Sequence, residues 1–154
     1  MTIAALILSL ALTASAAPAC KPQKASKKAK LTYPGGAAVV DVVDTPGTRE
    51  MGLMCRTKLA KNYGMLFVFS QEMDLNFWMK NTLVSLDIVW IGADKKVTVV
   101  HEHMKKSTVD TPNDEVAVAG GRGQYVLELP AGAAARLKLK AGDQLAFDVA
   151  TPEK

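Results

Sequence analysis

The chain has 154 residues, a formal net charge of +4 and 49% hydrophobic residues, which suits one globular domain and excludes both a wholly disordered chain and a second domain of ordinary size. Five lysines and no acid lie between Lys21 and Lys30, so the remainder is close to neutral and carries no nucleic-acid footprint.

Met1 to Leu12 is an apolar run followed by small residues through Ala19. The run is shorter than the roughly 20 residues that span a bilayer but fits the core of a secretion signal, so residues 1–19 are read as a signal peptide and the product as periplasmic or secreted. Cys20 follows Ala19 at the position of a lipidated cysteine, although Ala17-Pro18-Ala19 lacks the leucine of a good lipobox. Three fates are open to Cys20: an idle or removed thiol, a lipid anchor, or a disulfide to Cys55, the only other cysteine. Without a partner, Cys55 reads as a small core residue. Residues 20–35 read as a basic flexible linker, a solvated spacer with attraction to anionic headgroups or cell-wall polymer as the alternative, and residues 36–154 as one domain.

Within the domain, the β-branched segment from Ala37 to Asp44 predicts a strand. Thr45-Pro46 starts a helix expected to run to about Arg56. Gly64 to Phe69, Phe77 to Thr82 and Ser85 to Ile91 read as further strands, and Gly92 to Lys96 as a hairpin turn into Val97 to Glu102. Residues 104–123, with Pro112 and Gly120-Gly121 as breakers, read as a long loop. Tyr125 to Leu129 is a strand, Ala131 to Leu139 a short helix, and Gln144 to Ala150 the last strand. The pattern predicts an α+β domain with a mostly antiparallel, curled or barrel-like sheet and two short helices.

The segments from Arg49 to Arg56 (REMGLMCR), Gly64 to Phe67 (GMLF), Phe77 to Thr82 (FWMKNT), Leu86 to Ile88 (LDI) and Tyr125 to Leu129 (YVLEL), then Ala131-Gly132, resemble the DUF192 family, also called UPF0127, in its order. Ser85 and Trp90 depart from the family's usual proline and phenylalanine. The resemblance implies a small, often exported single domain without an assigned biochemical role.

Arg49, Gly52 and Arg56 fall on one helical stripe, and two guanidinium groups framing a glycine suit a carboxylate, phosphate or sulfate. They equally suit structural pairing with Asp87 or Glu128. Strand alternation places Asp87 in apolar company, as it does Glu128, so each requires a cation, hydrogen bonds or retention of its proton. As a pair, and with Lys80, they would suit a hydrolase or lyase. Trp78, Lys80 and Asn81 combine aromatic surface with an ammonium and an amide, as at sugar sites, or serve as core and turn residues. His101 and His103 would share a strand face, but no third ligand stands at a diagnostic spacing, so neither metal nor cofactor is expected. These residues together predict a monomeric binding module for an anionic or sugar-like small ligand; the rival readings are that hydrolase or lyase and an envelope assembly or structural factor.

Overall fold

The computed structural model describes residues 20–153; the signal-peptide expectation for residues 1–19 lies outside the described residues. Six strands form one sheet: β1 (Lys27–Tyr33), β2 (Gly36–Val43), β3 (Met65–Trp78), β4 (Leu86–Ile91), β5 (Val97–Met104) and β6 (Val118–Pro130). Their spatial order is β1-β2-β3-β6-β4-β5. Every pair is antiparallel except β2 with β3, whose parallel register (Asp41 opposite Met65) needs the crossover that holds the first helix, α1 (Pro46–Met51). The second helix, α2 (Ala133–Leu137), follows β6. This is the expected α+β fold, a mixed sheet curled into a half-barrel.

Residues 142–146 clasp the curl. Thr32 in β1 and Ala146 exchange backbone hydrogen bonds of 2.8 and 2.9 Å, while Leu145 N–H donates to Lys95 and Val97 N–H to Asp143 beside β5. One segment therefore ties the two outermost strands together. The strand expected at Gln144 to Ala150 exists only as these isolated bridges. Leu31, Val40, Leu66, Val89, Leu127 and Leu145 fill the concave interior. Met65, Phe67, Ile88, Trp90 and Val126 form a second cluster on the convex face, covered by Leu53 and the loops around Met79 and Val116.

Four local readings are corrected. The linker 20–35 contains β1, in which Lys28 and Lys30 stay exposed while Ala29 and Leu31 enter the core, an edge strand whose charges hide its alternation. The first helix stops at Met51 because Gly52 adopts φ 44°, where a Cβ would also come within 3.2 Å of Phe67. Gly64 to Phe69 and Phe77 to Thr82 are joined by β3, whose pairing with β6 is interrupted between Val68 and Met73; the strand ends at Trp78, and Asn81 takes φ 51° in the turn that follows. The predicted loop 104–123 ends early, since Gly120 and Gly121 lie inside β6. A Cβ on Gly121 would sit 2.8 Å from the Trp90 ring, so glycine there admits close packing and does not break the strand.

Candidate functional site

Arg49, Trp78 and Glu128 meet at a 220 Å³ cavity on the convex face. The capping box between Thr45 and Thr48, with Pro46 in the first turn, fixes the short α1 and thereby Arg49. Arg49 Nη1 donates to the Asp44 carbonyl at 2.6 Å and the Val68 carbonyl at 3.0 Å, and its guanidinium lies 4.7 Å from the centroid of the Phe69 ring. Backbone carbonyls occupy Nη1 and leave Nη2 and Nε free of hydrogen bonds to described side chains; no carboxylate of the described residues is ion-paired with Arg49. The interruption in β3 lets Phe69 and Phe77 approach to 6.4 Å, and Phe77 packs edge-on against Phe67 at 4.9 Å. Trp78, 49% exposed, stands at the opening beside Asn76, and Glu50 lies exposed on the same rim.

Glu128 lines this cavity from β6, opposite Met65 and Ile88 in the sheet. It is 6% exposed, and its Oε2 meets no hydrogen-bond donor among the described residues. Burial pushes its carboxyl up to about 8 from the ordinary 4.5, so the group keeps its proton at neutral pH. The lining of the cavity thus combines a cation, a buried neutral acid and phenyl rings, one of them stacked under the Arg49 guanidinium.

The other predicted residues lie elsewhere. After α1 ends, Cys55 takes φ 67° and sends Arg56 away from Arg49 to a separate 480 Å³ depression that also contains Asp41 and Lys28. There Arg56 Nη2 lies 3.8 Å from Asp41 and donates to the Gln23 carbonyl at 3.1 Å, and its guanidinium covers the Tyr63 ring. The framing of one anion by both arginines is therefore corrected, and the carboxylate beside Arg56 is Asp41 in place of Asp87 or Glu128. Burial alone would raise Asp41, but hydrogen bonds from Lys28 and Tyr63 and the charges of Lys28 and Arg56 hold it below the usual carboxylate range.

Asp87, fully buried, faces the opposite side of the sheet from Glu128, beside Val89 and Ile91 of the interior. Its Oδ1 accepts from the His103 N–H at 2.9 Å and its Oδ2 from the Ala134 N–H at 2.8 Å. Two amides therefore do the work expected of a cation, and the sheet separates Asp87 from Glu128, which removes the paired acid and base. Lys80 donates to the Thr111 carbonyl at 2.6 Å. Asn81 accepts from the Cys55 N–H at 3.0 Å and places its amide 2.9 Å from Cys20 Sγ, beside the Cys20–Cys55 disulfide. Both serve loop anchoring. His101 packs edge-on to Trp90 at 5.2 Å, His103 sits at φ 55°, and no group of three His, Cys, Asp or Glu side chains able to hold a metal occurs among the described residues. Phe67 and Phe69 were not among the predicted site residues and Phe77 entered only within the Phe77–Thr82 segment; the i, i+2 spacing of Phe67 and Phe69 marked a shared face, but polar residues 70–72 obscured that β3 continues to Phe77.

The chain matches the DUF192 family, described as an uncharacterized ACR, over residues 29–147. A solved structure of a candidate transcription regulator from Sinorhizobium meliloti 1021 is 31% identical, with a TM-score of 0.68, covering 81% of this chain and 97% of that one. A protein of unknown function from Novosphingobium aromaticivorans DSM 12444 is also 31% identical, with a TM-score of 0.63, covering 77% of this chain and 83% of that one. No curated protein matches.

Proposed function

Starting from the fact that the chain belongs to the DUF192 family, we propose that it is a binding module of the bacterial envelope, exported through residues 1–19, whose convex cavity takes a small ligand bearing a carboxylate or phosphate on a compact apolar or ring-like body. The observation that carries this reading is the buried Glu128 carboxyl, one oxygen of which meets no donor among the described residues, in the lining of a cavity that also holds an arginine without a carboxylate partner among them. Burying a polar atom without a hydrogen bond costs roughly 1–3 kcal/mol, and an incoming anion would relieve that cost by accepting the Glu128 proton in a hydrogen bond while Arg49 supplies the charge. The apolar surface of Phe69 and Phe77 suits a ring-shaped body, and 220 Å³, below the roughly 300–1,000 Å³ of usual ligand pockets, limits it to a single small ring.

The test is thermal shift and titration calorimetry with benzoate, glucuronate, glucose and inorganic phosphate. A ligand of the right class stabilises the native state by mass action, and glucuronate against glucose separates the anion from the sugar body. Arg49→Lys, which retains the charge but loses the planar fork, should weaken the best anion about tenfold or more. Binding should persist from pH 5.5 to 7.5 and fall above about 8, where Glu128 ionises and repels the anion. Absence of any anion-linked stabilisation across this panel would refute the binding reading and favour an assembly role.

A further inference from the structure

We infer that the open mouth of the half-barrel is a second binding site, for a single-chain amphiphile with an anionic head, a long-chain carboxylate. This inference is independent of the convex cavity. The mouth is a 660 Å³ hollow whose floor is Leu31, Val40, Leu127 and Leu129, the same side chains that fill the barrel interior. Helix α2 forms one wall with Ala133 and Leu137, and the β1–β2 hairpin the other with Tyr33 and Val39, the latter left 63% exposed. The volume lies in the usual range of ligand pockets, roughly 300–1,000 Å³, and barrel mouths are a recurrent place for apolar ligands.

The rim decides the chemistry of the occupant. Lys30, Lys61 and Arg136 line the hollow, no acidic residue does, and none of the three takes part in a salt bridge among the described residues. Arg136 is held in place by donation from Nη2 to the Lys61 carbonyl at 2.7 Å, which fixes one cation across the opening from α2 to the loop before β3. An apolar slot crowned by three cations fits an alkyl chain ending in a carboxylate. A peptide would bring backbone N–H and C=O groups that aliphatic walls leave unsatisfied. A second copy docked mouth to mouth would set two basic rims against each other.

The experiment is titration calorimetry of the full chain with octanoate, decanoate, laurate and myristate, each below its micelle concentration, with decanol as the uncharged control. Affinity should tighten about fourfold per added methylene, as each buries a further stretch of chain, until the hollow is full. Ala37→Trp, an exposed lining position, should weaken acids and alcohol alike by tenfold or more. The combined Lys30→Gln, Lys61→Gln, Arg136→Gln variant should weaken the acids about tenfold and leave decanol unchanged, and Arg49→Lys should alter neither. Affinity independent of chain length, no binding of laurate, or full binding by the Ala37→Trp protein would overturn the inference. So would a dimer in sedimentation that Ala37→Trp abolishes while laurate fails to bind. If Ala37→Trp does not fold by circular dichroism, the chain-length series and the surface charge variant decide the matter.

Discussion

Glu128→Gln should abolish a fall in stability of the native protein between about pH 4.5 and pH 8. The folded carboxyl titrates near 8 and the unfolded one near its ordinary 4.5, so between these values the folded chain binds one proton more than the unfolded chain. Stability therefore decreases as pH rises through this window, is unaffected by this group below about 4.5, and bears the whole cost above about 8. A separation of that size corresponds to about 5 kcal/mol. Glutamine keeps the shape and a donor but has no charge to bury, so the variant should match the parent at pH 4.5 and exceed it by several kcal/mol at pH 8.5, read as urea midpoints at both values. Asp41, held low by its partners, acts in the opposite direction and only in acid, where its stabilisation is lost as pH falls through its depressed value. Parallel pH profiles for parent and variant would show that the Glu128 carboxyl is not buried as a neutral acid.

Asp87→Ala should cost about 3 kcal/mol, since the buried Ala134 amide and the part-buried His103 amide lose their acceptor, at roughly 1–3 kcal/mol for each donor left unsatisfied. Asp87→Asn should cost about half as much, because one oxygen still accepts while the amide nitrogen faces an N–H group. Denaturant unfolding gives the magnitudes, and hydrogen exchange at the Ala134 amide locates them. A loss below about 1 kcal/mol for the alanine variant, with Ala134 protection unchanged, would remove Asp87 as the anchor of α2. Because α2 walls the barrel mouth, the same variant should also loosen whatever that mouth holds.

Pattern and punctuation made the fold class and most strand positions legible. Alternation along β4 placed Asp87 in apolar company, where the fold sets it beside Val89 and Ile91, and the Thr45-Pro46 signal located α1. What was hidden depended on non-local partners. The lysines of β1 imitate a linker because an edge strand keeps one row of side chains in water. Gly121 imitates a loop because the residue that requires its missing Cβ, Trp90, is 31 positions away in sequence. Arg56 belonged to the expected stripe until Gly52 and Cys55 turned the chain, and the acid beside it, Asp41, was not among those considered. Glu128 and Asp87 looked alike as carboxylates in apolar strands; the difference is that one meets two amides and the other has an oxygen that meets none among the described residues. The disulfide between Cys20 and Cys55, one of three fates open to Cys20 in the sequence, is the one the fold adopts.

The placement of β6 between β3 and β4 has a consequence for biogenesis. The strand that joins the two halves of the sheet is the last to be synthesised, so a nascent chain that ends before residue 118 holds a β1–β3 fragment and a β4–β5 hairpin, each with an open edge. Neither can complete its core, and both offer unpaired backbone to other chains. Folding must wait for the C-terminal quarter of the polypeptide, and premature truncation should yield aggregates in place of a smaller folded product.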